Sequence, residues 1–276
     1  MPRRIHIVGT SDRSGTTLMM QLMVNCLAID RYCSHERRIY KRVPRDYEIY
    51  CSKHPLDILG ARTLLALDPN LFMVCLVRDP RDAVVSKHNR FPDRYWGINF
   101  SKWRTHYQLA KRLAPHPRVL VVAYESLVDD PDRLQNELMA CMPFLRKRAD
   151  FSQFHEVATP TSDRAERALG GVRPISTRSV GAWRSHKPRI VAQLAIHGDI
   201  SDELIALGYE RDRRWLHELA GIEADNGQSG NPDRRLPTTE RNDRLTACVN
   251  IGLYALAKMK RRVVLTWRTW TPGTPR

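Results

Sequence analysis

Several features that assign a chain to a specialised class are missing from this sequence. The six cysteines are dispersed and no two have C-x-x-C spacing, which disfavours a disulfide framework and favours a reducing compartment. The apolar run Leu245–Ala257 is too short to span a membrane. Residues 1–4 lead directly into a strand-like run without the apolar region of a signal peptide, so we expect a cytoplasmic location.

Acidic residues are scarce relative to basic ones. The 276 residues include 45 Lys and Arg against 30 Asp and Glu, which gives a net charge of +15. Residues 234–276 hold ten basic side chains and two acidic ones, about half of the excess. A solvated surface, anionic substrates, nucleic acid and acidic lipid headgroups are all compatible with this distribution, and charge alone does not choose among them.

Short apolar runs rich in β-branched residues alternate with stretches of helical spacing. The strand-like runs are 5–8, 49–51, 72–77 and 119–123; the helix-like stretches between them are 18–28, 55–67, 82–89 and 100–113. This alternation predicts an α/β fold with a mainly parallel sheet covered by helices on both faces. We expect a body at residues 1–221, a polar linker at 222–243 and a basic helical tail at 244–276. The tail is interpreted either as a docked helix or as one that lies on a membrane or partner.

The loop between the first strand and the first helix is the most informative segment. It runs from Gly9 to Thr17 and consists mainly of small and hydroxyl residues. Backbone N–H groups and the helix dipole converge on such a loop, which makes it an anion-binding device. The lysine of the GxxxxGK[ST] pattern is absent, and Arg13 precedes the final Ser-Gly-Thr-Thr. The loop therefore predicts phosphate binding for something other than ordinary ATP chemistry.

Two further segments carry residues suited to phosphate. Arg78 follows the apolar run Phe72–Val77, and Ser86 is expected on the first turns of a helix that begins near Asp82. A guanidinium and a hydroxyl so placed can grip one phosphate from two sides. The other segment is a loop that combines a basic residue, a glycine and a tryptophan: Arg178, Gly181 and Trp183.

In this order the three segments resemble the sulfotransferases that use 3′-phosphoadenosine 5′-phosphosulfate, over residues 5–216. The resemblance implies a P-loop-NTPase-like three-layer fold. It also implies a 5′-phosphosulfate loop made of Arg13, Ser14, Gly15, Thr16 and Thr17. Arg78 and Ser86 would then bind the 3′-phosphate, and the loop with Arg178, Gly181 and Trp183 would close over the nucleotide. Arg13, Thr16 and Thr17 would stabilise the departing 5′-phosphate, so no metal ion is expected.

The resemblance also directs attention to Lys53, which falls on the family lysine that approaches the transferring sulfuryl group. His54 is suited to deprotonating a hydroxyl, although it stands one residue earlier than the family histidine. Glu36 is the competing base, because carbohydrate-directed members often carry a glutamate in this region. His35 and Asp12 are further alternatives, and the sequence leaves the base undecided.

The sequence thus predicts transfer of a sulfuryl group from 3′-phosphoadenosine 5′-phosphosulfate to an acceptor hydroxyl, with a carbohydrate or glycoconjugate favoured. Loops at 31–45, 90–98 and 151–176 are expected to build the acceptor pocket. One alternative is a nucleotide-dependent kinase, which the missing lysine disfavours. The other is a non-enzymatic module that binds nucleic acid or membrane through its basic tail. No specific nucleic acid is expected as a partner, and the tail is a candidate for peripheral membrane contact.

Overall fold

A computed structural model describes residues 2–41, 43–44, 46–87, 93–229 and 237–270, with side chains in the last range described for 242–259. Five strands form one sheet in the order β2-β3-β1-β4-β5. They are β1 (Arg3–Gly9), β2 (Arg31–Tyr32), β3 (Ile49–Lys53), β4 (Leu71–Val77) and β5 (Val119–Ala123). All of these pairings are parallel, which confirms the predicted α/β class.

Helices cover both faces of the sheet. They are α1 (Thr16–Cys26), α2 (Ala61–Leu67), α3 (Pro80–Val84), α4 (Phe100–Leu113), α5 (Tyr124–Asp129), α6 (Pro131–Cys141), α7 (Phe154–Val157), α8 (Asp163–Leu169), α9 (Lys187–His197), α10 (Ser201–Ala206) and α11 (Pro237–Trp270). Short 3₁₀ segments lie at Pro55–Gly60, Phe151–Gln153, Ala182–His186 and Arg213–Leu219.

The side chains of β4 alternate between two apolar clusters, one on each face of the sheet, and this gives the fold its three layers. In β4, Phe72, Val74 and Leu76 join the apolar cluster that contains α1 and α6. The intervening Met73 and Cys75 join the cluster that contains α2 and α4 on the opposite face. Because both faces of β4 are covered, the strand is apolar at every position rather than at alternate ones.

One predicted helix is shorter than expected. The helix that was to carry Ser86 on its first turns is α3, which ends at Val84, so Ser86 lies beyond it. The Ser86 carbonyl accepts a hydrogen bond from the Trp96 amide at 2.8 Å, and Lys87 forms an isolated bridge with Tyr95. These contacts turn the chain out of the helix, so Ser86 is held by a loop.

The segment predicted as a polar linker is partly structured. The Tyr95 amide donates to the Gln228 carbonyl at 2.9 Å, and Gln193 Nε2 donates to Asn226 Oδ1 at 2.9 Å. Its Asp, Asn, Gly and Ser residues therefore act here as turn residues packed on the body, a role that the same composition also suits. The linker over residues 222–243 stays a prediction, and residues 230–236 lie outside the described part of the chain.

The basic tail contains a helix that docks on the body. α11 begins at Pro237, inside the predicted linker, and residues 271–276 lie outside the described part. Tyr254 is buried, its hydroxyl donates to Asp68 at the end of α2, and Lys258 Nζ pairs with the same carboxylate at 2.6 Å. Among the described residues no helix has the length and hydropathy needed to cross a bilayer. The division of the chain into three parts stays a prediction.

Candidate functional site

The loop between β1 and α1 is closed tightly around a left-handed glycine. Gly15 has φ = 91°, and a Cβ atom at this position would lie 2.4 Å from Cδ2 of Tyr124. The Ser14 hydroxyl donates to the Ser11 carbonyl at 2.8 Å, which fixes the loop from within. Only glycine satisfies both the backbone angle and the close approach of the tyrosine ring. Thr16 then begins α1, so the first N–H groups of this helix are at the loop.

Two guanidinium groups lie beside this loop without a carboxylate partner among the described residues. Arg13 Nε donates to Ser86 Oγ at 2.8 Å, and Arg78 Nη1 donates to the Arg13 carbonyl at 2.9 Å. Burial and the nearby charge of Arg78 lower the pKa of Arg13. Within the described residues neither arginine forms an ion pair, and the buried Arg78 Nε makes no hydrogen bond. Cations that are buried or half-buried in this situation suit an anionic ligand, because such a ligand supplies the missing charge and acceptors.

The loop at residues 177–183, called here the 177–183 loop, joins the same assembly. Arg78 Nη2 donates to the Ser179 carbonyl at 2.9 Å, so this one side chain bridges both loops. The hydroxyls of Tyr124 and Ser179 are 2.8 Å apart. Asp82 accepts the amide N–H groups of Gly181 at 2.8 Å and Trp183 at 2.9 Å.

Trp183 is buried beneath the loop. The Arg81 guanidinium lies 4.4 Å from its ring centroid, and the Trp215 ring meets it edge to face at 6.0 Å. The side chain does not line the cleft described below, so the geometry favours packing over a stacking surface for a base. Its predicted contact with a nucleotide stays a prediction.

The loops enclose a cleft of about 440 Å³, called here the central cleft. It brings together most of the residues predicted from the sequence to bind phosphate: Arg13, Gly15, Thr16, Thr17, Arg78, Ser86 and Arg178. Ser14 and Gly181 are not in its lining and act through the loop backbones. Part of the predicted acceptor loop 151–176 also lines this same cleft, through residues such as Phe154, Leu169 and Arg173.

Sequence reasoning assigned no role in this cleft to Asp82, Lys87, Tyr124 or His186. A signal existed for Tyr124, which follows β5 directly. The carboxyl ends of parallel strands meet at one edge of the sheet, where ligands bind in open α/β folds. Lys87 and His186 reach the cleft from a loop and a 3₁₀ segment whose course no local pattern indicates.

A second group of predicted residues lies at the carboxyl end of β3. This β3 corner consists of Glu36, Lys53 and His54. Lys53 pairs in register with Ile7 of β1, and its Nζ atom donates to Glu36 Oε1 at 2.9 Å. The Lys53 side chain is 1% exposed and that of Glu36 34% exposed, so the carboxylate is the accessible member of the pair. None of the three lines the central cleft.

Charges at the β3 corner set its protonation. Burial lowers the pKa of Lys53, and Glu36 partly restores it. Burial alone would raise the pKa of Glu36, but the charge and hydrogen bond of Lys53 hold it below its ordinary 4.5. Burial and Lys53 lower the pKa of His35 to about 4. Glu36 is therefore ionised and His35 neutral near pH 7, which leaves Glu36 as the charged proton acceptor of this pair.

His54 is oriented less directly. Burial lowers its pKa, and its Nδ1 atom lies 3.8 Å from Asp57 Oδ1, beyond hydrogen-bond distance. The Asp57 carboxylate is already bound by His6 Nε2 at 3.1 Å, Arg38 Nη1 at 3.0 Å and the Ile39 amide at 2.8 Å. A histidine base is normally oriented by a hydrogen bond to its second nitrogen, and Asp57 does not supply one here.

Within the part of the chain that is described, no group of three or more His, Cys, Asp or Glu side chains is arranged to hold a metal ion. The expectation of a reaction without a metal stays a prediction.

Comparison with known proteins gives one family. A model of the sulfotransferase family matches residues 23–142, a range that includes Glu36, Lys53, Arg78 and Ser86. No curated protein matches the chain significantly.

Two solved structures are among those that match the chain. A sulfotransferase domain from the curacin biosynthetic pathway is 13% identical, covers 67% of this chain and 97% of its own, and has a TM-score of 0.36. Retinol dehydratase in complex with androsterone and the inactive cofactor PAP is 14% identical, covers 85% and 83%, and has a TM-score of 0.37.

Proposed function

We propose that this chain, which matches the sulfotransferase family model over residues 23–142, uses 3′-phosphoadenosine 5′-phosphosulfate as donor and a saccharide hydroxyl as acceptor. The observation that carries the proposal is the pair Arg13 and Arg78, two guanidinium groups in the central cleft without an ion-pair partner among the described residues. This donor carries a 5′-phosphosulfate and a 3′-phosphate, so it supplies one anionic group for each arginine.

The residues of the cleft fit such a donor. Arg13, Thr16 and Thr17 would hold the 5′-phosphosulfate end, where the N–H groups that begin α1 add positive potential. Arg78 donates two N–H groups to backbone carbonyls and retains others, including the unpartnered Nε, for the 3′-phosphate. Ser86 Oγ accepts from Arg13 Nε at 2.8 Å and lines the same cleft.

We propose Glu36 as the general base. Its carboxylate takes the proton of the acceptor hydroxyl as the new O–S bond forms. The bond between sulfur and the bridging oxygen of the 5′-phosphate breaks, and 3′,5′-diphosphoadenosine leaves with that electron pair. Arg13 stabilises the charge that develops on the departing phosphate. Glu36 is favoured over His54 because it is the more exposed group and is hydrogen-bonded directly to Lys53.

A saccharide acceptor agrees with the polarity of the β3 corner. The groups that hold the pKa of Glu36 down are charged or polar: Lys53, His35 and His54. An apolar phenol or steroid would desolvate these groups without pairing them, whereas a polyhydroxylated sugar offers donors and acceptors. The six free cysteines agree with the reducing cytoplasm as the place of the reaction.

The proposal is tested with the full chain and donor labelled in its sulfuryl group. We expect label to transfer to some members of a panel of soluble mono- and oligosaccharides and not to a panel of phenols and steroids. We also expect 3′,5′-diphosphoadenosine, and not ATP with Mg²⁺, to raise the melting temperature. Stabilisation by ATP with Mg²⁺ alone would favour the kinase alternative and contradict the proposed donor.

We also propose that α11 makes peripheral contact with an anionic membrane surface. Five large apolar side chains are 43–59% exposed on this helix at spacings of three and four residues: Leu245, Val249, Leu253, Leu256 and Met259. The opposite face carries Tyr254, which docks on the body. The helix holds seven basic and two acidic residues, which suits anionic headgroups and opposes pairing with a second copy.

Sedimentation with vesicles tests this contact. The full chain should bind vesicles of phosphatidylcholine and phosphatidylserine, and less so at high salt. The double variant Val249→Glu, Leu256→Glu should lose binding, and Ile205→Glu, a change at an exposed apolar residue of α10, should retain it. No binding by wild type, or equal binding by the double variant, would contradict the membrane proposal. RNA is added as a competitor in the same assay. If RNA displaces the full chain from the vesicles and the double variant still binds RNA as wild type does, the ligand would be nucleic acid instead.

A further inference from the structure

Asp82 has an unusual position for a carboxylate. It lies in the first turn of α3, is 2% exposed, and lines the central cleft beside Arg78 and Ser86. The cleft is proposed to bind a donor with several negative charges, and a carboxylate among its walls repels such a ligand. A compensating role is therefore needed to explain why an acidic side chain stands there.

The hydrogen bonds of Asp82 supply this role. Oδ2 accepts the Gly181 amide at 2.8 Å and Oδ1 accepts the Trp183 amide at 2.9 Å, so each oxygen holds one backbone N–H. Gly181 has φ = 74° and stands directly before the 3₁₀ segment Ala182–His186, at a position where a side chain commonly caps the first N–H groups. Glycine has no such side chain, and Asp82 provides the cap from a different element.

The cap connects to the phosphate side of the cleft. The same 177–183 loop is held at Ser179 by Arg78 and Tyr124, and Arg78 also holds the Arg13 carbonyl. Asp82 thus anchors one end of a loop whose other end is tied to the phosphate loop. Arg178 lies between these anchors and lines the cleft.

We infer that Asp82 is a positioning residue for the donor: it latches the 177–183 loop onto α3 and so keeps Arg178 and the Ser179 carbonyl in place around the cleft. The inference rests on the proposed donor and deepens that proposal. It assigns the carboxylate a function through the loop backbone and none through direct contact with the anion.

Asp82→Asn distinguishes this positioning role from simple charge repulsion, because the two predict opposite changes in affinity for 3′,5′-diphosphoadenosine. Asparagine keeps the shape and removes the charge, which on electrostatic grounds alone tightens binding of an anion. Its amide, however, presents one oxygen and one NH₂ group to two N–H donors, so one of the two capping bonds is lost. If the latch dominates, 3′,5′-diphosphoadenosine binds about tenfold to 100-fold more weakly.

The experiment combines calorimetric titration of 3′,5′-diphosphoadenosine with hydrogen exchange of the amides at 181 and 183. We expect Asp82→Asn to weaken binding and to lose protection at these two amides, with the donor KM raised more than kcat falls. Asp12→Asn is the control, since it removes a carboxylate of the same cleft that lies 4.0 Å from Lys102 Nζ, outside the 177–183 loop, and it should not weaken binding. Gly181→Ala disturbs the same contact at the loop, because alanine is strained at φ = 74°. It should also weaken binding of 3′,5′-diphosphoadenosine.

Three results would overturn the inference. Binding of 3′,5′-diphosphoadenosine that is unchanged or tighter in Asp82→Asn while the amides exchange faster would show that the latch does not position the donor. Protection that persists in both loop variants would show that there is no latch. In either case loss of binding in Arg13→Ala would still support the proposed function. No binding by wild type would reject the donor itself, and the inference with it.

Discussion

The carboxyl edge of the sheet has two halves that treat positive charge in opposite ways. At the ends of β1 and β4, Arg13 and Arg78 have no ion-pair partner within the described residues. At the β3 corner, Lys53 is paired with Glu36, and the neighbouring Arg38 with Asp57. The difference indicates a division of labour: unpaired cations are available to an anionic ligand, while paired ones fix the protonation of a nearby carboxylate.

The largest effect on activity is expected at the β3 corner, where the cations are paired. Glu36→Gln keeps the shape of the side chain and removes the proton acceptor, so kcat should fall by about 10² to 10⁴. Affinity for 3′,5′-diphosphoadenosine should change little, because Glu36 does not line the central cleft. His54→Asn is the matched control and should keep most of the activity. The reverse ranking of these two variants in steady-state assays would make His54 the base.

The dependence of kcat on pH sharpens the same comparison. The pKa of Glu36 is held below 4.5 chiefly because Lys53 outweighs the opposing effect of burial, so the carboxylate stays charged as pH falls from 7 to 5. We expect activity to be retained over that interval and lost only below it. If His54 were the base, activity would fall nearer its lowered pKa, below 6.5. Measurements of kcat against pH, in buffers of constant ionic strength and without vesicles, distinguish the two candidate bases.

The next largest effect is expected on donor binding in the central cleft, where Arg13 and Arg78 have no ion-pair partner among the described residues. Arg13→Ala and Arg78→Ala should each weaken binding of 3′,5′-diphosphoadenosine by about 10-fold to 100-fold or more, since each removes charge-assisted hydrogen bonds from a buried site. Arg178→Ala removes an exposed guanidinium of the same cleft and should cost less. Equal losses in all three variants would show that net charge, rather than the buried pair, determines affinity.

A smaller effect on binding, with a clear effect on stability, is expected at the glycine of the phosphate loop. Gly15→Ala places a Cβ against Tyr124 and strains a left-handed backbone, which costs about 1–2 kcal/mol before the ring moves. The melting temperature should fall. Gly171→Ala is the matched control, because it also has positive φ (90°) but nothing lies within 4 Å of its added Cβ. A similar fall in both variants would assign the cost to backbone angle alone.

The smallest effect concerns the docked helix. Tyr254→Phe removes one hydrogen bond to Asp68, while Lys258 retains its pair with that carboxylate. We expect a loss of about 1 kcal/mol in the free energy of unfolding, measured by urea titration. Affinity for 3′,5′-diphosphoadenosine should be unchanged, because α11 does not contribute to the central cleft. A change in affinity would show that the two regions are coupled.

The sheet was predictable from sequence because each central strand is buried on both faces. Runs such as Phe72–Val77 are continuous in their apolar character and differ in length from the observed strands by a few residues at most. Helix α4 was predicted with its observed bounds, Phe100–Leu113, and Asn99 caps it by accepting from the Lys102 amide. Local physics decides these elements.

The site was only partly predictable, since its geometry depends on contacts between segments distant in sequence. Arg13, Arg78 and Ser86 were named, and the structure brings them together. The capping of Gly181 by Asp82 joins residues 99 positions apart, and Tyr124 faces Gly15 across the sheet edge. No pattern within either segment encodes such pairs. Residues 225–229 show the same limit, because their composition suits both a turn packed on the body and a free linker.

Asp68 has a practical consequence for handling the protein. Burial would raise the pKa of this carboxylate, and Lys258 and Tyr254 of α11 together lower it. A chain shortened at residue 221 would retain Asp68 and lose both of these partners, which leaves a carboxylate on the body without the groups that neutralise it. Trimming the basic tail to improve expression or crystallisation is therefore expected to lower the yield of folded protein. A shorter chain that also carries Asp68→Asn is the better starting point.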